Sequence, residues 1–230
     1  MRRILLTAFG VGGLMMIAYT LSAQKSEVGF GIGTLNYTGD LARTYNVLNS
    51  KPAATIFYRS NLSKVVSFRA AITGGKIGAS DKRPIDAFAE RRNASFNLFL
   101  MEASTVMEYH FMNWRDDKHI MRFTPYLFAG LGIFGISGTQ NKASQYSNVQ
   151  GAIPFGLGMK YIINPKWYIA LEFGARKTFF DYLDNVSTGS NQLVKNYQYG
   201  NPYDNDNYYF LCLSITRTFY EIPCLTNPYK

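Results

Sequence analysis

The sequence predicts an all-β chain, an eight-stranded antiparallel transmembrane β-barrel of the outer membrane. Three observations predict it. Large apolar residues alternate with small or polar ones over eight segments. No apolar run after the N-terminus reaches the length a spanning helix needs. The connections after odd-numbered strands are long and two of the three after even-numbered strands are short, an asymmetry that outer-membrane barrels show.

The clearest segment is the hairpin within residues 150–182. Ile153, Phe155, Leu157, Met159 and Tyr161 alternate with Pro154, Gly156, Gly158 and Lys160. After a turn at Asn164-Pro165-Lys166, Trp167, Ile169, Leu171, Phe173 and Ala175 alternate with Ala170, Glu172, Gly174, Arg176 and Thr178. Each arm exceeds the roughly 9–11 residues a tilted strand needs to cross a bilayer. The second face carries glycines and isolated charges, which suits the crowded interior of a narrow barrel whose bulky face meets lipid.

The other strands follow in order. The first covers about 27–37, with Val28, Phe30 and Ile32 opposite Gly29, Gly31 and Gly33. The second covers about 53–59 and places Ile56 and Tyr58 opposite Thr55 and Arg59. The third alternates from Val66 to Thr73, and a charged loop begins at Gly78. The fourth, about 95–111, sets Phe99, Met101, Ala103, Met107 and Tyr109 against Glu102, Ser104, Glu108 and His110. The fifth, about 122–136, sets Leu127, Ala129, Leu131 and Ile133 against glycines. The eighth, about 207–220, carries Leu211, Leu213, Ile215, Arg217 and Phe219 on the lipid face. A secreted soluble sandwich would explain the alternation but not the outward Leu, Phe and Ile faces.

Three regions divide the chain: residues 1–23 as a cleaved signal peptide, 24–222 as the barrel and 223–230 as a periplasmic C-terminal tail. Arg2 and Arg3 precede an apolar run, and Leu21-Ser22-Ala23 forms a small-residue cleavage site. An even strand count places both termini in the periplasm. Without Arg2 and Arg3, 22 basic residues face 15 acidic ones, a balance of +7. The basic residues are scattered rather than striped. Loops and the anionic headgroups of the outer-membrane bilayer account for them, and no nucleic acid is called for. Tyr58, Tyr109, Tyr161, Trp167, Phe179 and Phe219 fall near strand ends, where interfacial aromatic girdles sit.

Eight strands enclose an interior filled by side chains. Arg59, Arg69, Glu102, Glu108, Lys160, Glu172 and Arg176 all fall on the inward face. Buried charges need partners, so these predict a luminal salt-bridge network rather than a catalytic dyad. Two pairings stay open for Glu172 and Arg176: with each other, or with charges on neighbouring strands. The two histidines, His110 and His119, lack a matching serine, so no catalytic residue is assigned. No metal-ligand spacing and no cofactor motif appears, and the glycine-rich runs lie within strands. Cys212 faces inward in mid-strand. Cys224 follows the last strand and is a candidate for an intermolecular disulfide in an oxidising compartment, a free thiol being the alternative.

The segment from Ile153 to Ser187, the N-terminal EVGFGIGTLNYTGDLART and the third strand SFRAAITGGKIGASD together resemble the PorG family, outer-membrane barrels of the type IX secretion system of Bacteroidetes. The combination of Thr38-Gly39-Asp40, Arg176-Lys177-Thr178 and Asp181-Tyr182-Leu183-Asp184 with a late Pro223-Cys224 pair carries most of the likeness. The resemblance implies a non-enzymatic part of a secretion machine, associated with a periplasmic ring lipoprotein and its ring partner. A general small barrel of the OmpX or OmpW type is the other expectation, acting in adhesion, envelope stability or small-solute passage. A barrel lipid hydrolase using His110 is a third.

Overall fold

In a computed structural model, residues 26–39, 45, 47–80, 95–112, 122–137, 147–164, 166–179 and 206–219 are described. They form eight strands: β1 Ser26–Thr38, β2 Lys51–Ser60, β3 Val66–Ser80, β4 Ser95–His110, β5 Phe123–Ser137, β6 Val149–Asn164, β7 Trp167–Thr178 and β8 Asn207–Phe219. Each pairs antiparallel with its sequence neighbours, and β1 closes on β8. The expected eight-stranded antiparallel barrel is what the chain forms.

The period of two decides which wall each side chain joins. On β4 burial alternates without a break from Met101 to His110. The outward residues through the middle of the strands are mostly apolar, with Ile32 60%, Leu131 69% and Leu157 58% exposed. Water would penalise such a belt, and hydrocarbon would not. On β7 the outward residues between Trp167 and Lys177 are Ile169, Leu171, Phe173 and Ala175. These ten steps at about 3.3 Å each, tilted by about 40°, span about 25 Å, the height of the apolar band of a transmembrane barrel.

Two ends result. Residues 61–65, 111–122 and 165–166 connect the strands at one, the short-turn end, where 111–122 is the exception and as long as some loops opposite. Residues 39–50, 81–94, 138–148 and 179–206 connect them at the other, the long-loop end. The β6–β7 turn is fixed by Asn164, whose Oδ1 accepts from Lys166 N and Trp167 N, both at 3.0 Å. Such side-chain acceptance stands in for a backbone turn.

One strand departs from the sequence expectation. Gly78, Ala79 and Ser80, assigned to a loop, continue β3 and pair with Asn97, Phe96 and Ser95. The glycines at 74, 75 and 78 blur the alternation, which is carried by the inward Ile77 and Ala79. Elsewhere glycine makes room for rings. A Cβ at Gly29 would overlap the Phe57 ring, and one at Gly158 would overlap that of Tyr126.

Candidate functional site in the lumen

The interior divides along the barrel axis. Towards the long-loop end it is an apolar core of Leu35, Ile77, Leu98, Leu100, Phe134, Ile136 and Phe210, with Tyr37. Towards the short-turn end and the middle it is charged. The glycine-and-charge pattern of the β6–β7 hairpin signals only the second half. The apolar half comes from inward Leu and Phe on strands whose outward residues are equally apolar, so no alternation in polarity reveals it.

All seven predicted luminal charges lie inside and are buried: Arg59, Arg69, Glu102, Glu108, Lys160, Glu172 and Arg176. Glu108 on β4 is the hub. Its Oε2 accepts from Lys160 Nζ at 2.9 Å. Arg59 Nε lies 2.9 Å from the same oxygen and Arg69 Nε 3.1 Å from Oε1, as charge contacts rather than aligned hydrogen bonds. Arg59 Nη1 also donates to Glu27 Oε2 at 2.7 Å. Arg69 forks onto Glu172, with Nη1 to Oε2 at 2.6 Å and Nη2 to Oε1 at 3.1 Å. Tyr126 Oη adds a hydrogen bond to Glu172 Oε2 at 2.9 Å.

Nearer the middle, Arg176 Nε reaches Glu102 Oε2 at 3.3 Å, and Tyr208 Oη donates to the same oxygen at 2.8 Å. Neither pairing foreseen for Glu172 and Arg176 occurs. They meet neither each other nor an adjacent strand, because both point to the axis and their partners approach from β3 and β4 across it. The guanidiniums are also stacked on rings: Arg59 over Phe57 at 4.8 Å, Arg69 over Phe128 at 5.2 Å and Arg176 over Phe210 at 5.2 Å. Such contacts strengthen when desolvated. Sequence reading left out Glu27, which completes four acids against the four bases Arg59, Arg69, Lys160 and Arg176. It shares the parity of Gly29, Gly31 and Gly33, so the alternation that placed the other charges marks it as inward too.

Sequence reading also left His110 without a serine, and the fold supplies one. Ser67 Oγ lies 3.3 Å from His110 Nε2. A catalytic relay needs the acid on the opposite ring nitrogen. Here Glu108 Oε2 stands 3.5 Å from the same Nε2, and Lys160 Nζ is 3.2 Å from it. Ser67 also donates to Asn61 Oδ1 at 2.9 Å, and Ser67 and His110 are wholly buried. The arrangement braces the lumen and does not poise a nucleophile.

On the outside, Tyr58, Tyr109, Tyr161, Trp167 and Phe219 are exposed at the short-turn end, and Phe179 is exposed at the long-loop end. An aromatic group that sequence reading missed lies nearer the long loops. Tyr45 packs edge-on against Phe173 and Tyr209, with centroids 5.9 and 5.6 Å away. Cys212 is buried in the lumen and pairs in register with Gly33 on β1 and Glu172 on β7. Cys224, His119 and the C-terminal tail lie outside the described residues. Among the described residues no group of His, Cys, Asp and Glu could hold a metal ion.

Comparison with solved structures returns small barrels. They include Ail, the attachment invasion locus protein of Yersinia pestis, at 10% identity over 86% of this chain and 99% of that one, with a TM-score of 0.48. Neisserial surface protein A matches at 12% identity over 84% and 97%, with a TM-score of 0.49. The outer membrane protein OprG from Pseudomonas aeruginosa matches at 10% over 86% and 97%, with a TM-score of 0.47. No curated protein matches the sequence. Residues 3–228 match the model of a family described as a domain of unknown function, DUF6089. The chain belongs to the DUF6089 family.

Proposed function

We propose that the protein is a general small outer-membrane barrel that works through its ends and outer surface rather than through its lumen. One observation carries this reading. The ion-pair network centred on Glu108 and Glu172 crosses the barrel axis, and an apolar core fills the half above it. A passage for solutes would have to break buried pairs and leave charges unpartnered, which is costly. Adhesion and envelope stability fit such a filled barrel better than solute passage does. In this reading both termini and the short turns face the periplasm, and the long loops face outward.

A second reading rests on the sequence resemblance to the PorG family: a scaffold for the periplasmic ring lipoprotein and its partner in type IX secretion. One feature favours treating the resembling segments as a unit. Tyr37, beside Thr38-Gly39, donates to Asp206 Oδ1 at 2.6 Å, and Thr178 donates to the Asp206 carbonyl, so both motif segments meet at the long-loop rim. A filled barrel suits an anchor, and Cys224 is the residue by which a partner could be tethered. Crosslinking and pull-down from native outer membranes, with wild type and Cys224→Ser run without reductant, separates the readings. A co-purifying lipoprotein ring supports the scaffold, and a covalent adduct lost in the variant assigns the tether to Cys224. No ring, with secretion unchanged after deletion, leaves the general barrel.

A further inference from the structure

The outer wall is not equally tall all round. On β4 the outward residues run apolar from Phe99 to Tyr109, with Thr105 between, and on β5 from Phe123 to Ile133. Each stretch is ten steps, about 25 Å along the axis at about 3.3 Å a step and about 40° of tilt. On β1 the outward apolar residues are Val28, Phe30 and Ile32, with Ser26 before them and Thr34, Asn36 and Thr38 after. That stretch is four steps, about 10 Å by the same rule. On β2 the outward Pro52, Ala54, Ile56 and Tyr58 cover six steps, about 15 Å.

Contacts at the long-loop end of β1 follow the same division. Asn36 faces outward by parity yet is 1% exposed, and its Nδ2 donates to Ser50 Oγ at 3.0 Å in the connection to β2. Tyr45, from the same connection, packs on Phe173 and Tyr209, which face outward on β7 and β8. Part of the β1–β2 connection therefore lies against the outside of the wall, where other strands meet lipid. Irregular backbone carries polar groups that hydrocarbon cannot satisfy. The hydrocarbon has to end below it. Tipping the barrel does not reconcile the two sides, since it lifts one and lowers the other but leaves the height of each unchanged. A spanning surface shorter than the hydrocarbon is matched by thinning the bilayer, at a modest cost per ångström.

We propose that the β1–β2 side of the barrel is a bilayer-thinning face, beside which the hydrocarbon is thinner than beside β4 and β5. The lipids it fits are those whose chains are short or disorder readily against Val28, Phe30 and Ile32. This inference rests on the membrane reading of the barrel.

The test is thiol labelling of the full-length protein in nanodiscs of dioleoylphosphatidylcholine, whose two faces are both open to a membrane-impermeant maleimide. Single cysteines are introduced into a background of Cys212→Ser and Cys224→Ser. Pro52 and Ala129 are exposed on the outer wall at matched height, each six residues from an exposed aromatic at the short-turn edge, Tyr58 and Phe123. Leu62 lies exposed in the β2–β3 turn, at the opposite end of the short side. Pro52→Cys and Leu62→Cys should be modified to completion, and Ala129→Cys should stay unmodified until the protein is denatured. Protection of Pro52→Cys overturns the thinning face. So does protection of Leu62→Cys alongside a modified Pro52→Cys, which marks a tipped barrel in a bilayer of even thickness. Modification of all three overturns the membrane reading together with the thinning face.

Discussion

Arg69 on β3 and Glu172 on β7 meet across the barrel axis in a two-pronged contact, at 2.6 and 3.1 Å, although their strands are not neighbours in the sheet. The contact is a crossbar between opposite walls. Removing one partner strands a buried charge, and the loss is larger than the net worth of the pair. Arg69→Met or Glu172→Leu alone should lower unfolding stability by about 3–5 kcal/mol. The double variant should recover part of that, since neither charge is then left alone. Urea unfolding of the refolded barrel, followed by its heat-dependent gel shift, measures all three. Additive losses would mean the crossbar is not a coupled pair.

The same crossbar bears on conduction. With Glu108 bound by Arg59, Arg69 and Lys160, and with Leu100, Phe134 and Phe210 in the other half, ion pairs and apolar side chains occupy the lumen among the described residues. Eight strands give an interior just wide enough for side chains. Wild-type protein in a planar bilayer should give no steady open level. A stable, ohmic conductance would show that the network opens.

How much of this was legible in the sequence follows from the period of two. Alternation along β4, β6 and β7 placed Glu102, Glu108, Lys160, Glu172 and Arg176 inside without knowledge of any partner, because a face follows from parity alone. Pairing did not follow, since Arg69 and Glu172 are 103 residues apart and meet only once the sheet closes. The apolar half stayed hidden because Leu98 and Leu100 on β4 alternate with Phe99 and Met101, apolar against apolar. The Ser67–His110 contact was invisible for a third reason. A serine on a strand is too common to single out, and only the pairing of β3 with β4 brings it to the histidine.

Cys212 tests the filled interior from another side. It lies between Gly31 and the luminal side chains, and a Cβ at Gly31 would stand 2.5 Å from its Sγ. In a Cys224→Ser background, a maleimide should leave Cys212 unmodified in the folded barrel and label it fully once the protein is unfolded in urea. Rapid labelling of the folded protein from the aqueous phase would mean that solvent reaches mid-barrel.

The outer wall can be tested by depth. Leu171 sits four residues from Trp167 and six from Lys177 on β7, near the middle of the apolar band, and is 53% exposed. Phe219 ends β8 at the short-turn rim and is 47% exposed. In water, Leu171→Arg and Phe219→Arg would be similar surface changes, both small. In a bilayer the first forces a guanidinium to the midplane, at about 2–4 kcal/mol, and the second leaves it among headgroups, at about 0–1 kcal/mol. Reversible unfolding from lipid vesicles should therefore separate the two variants by about 1–4 kcal/mol. In detergent micelles, whose thickness adapts around an added charge, the gap should shrink. Equal costs in vesicles would place Leu171 outside hydrocarbon and would contradict an apolar belt bounded by Trp167 and Lys177.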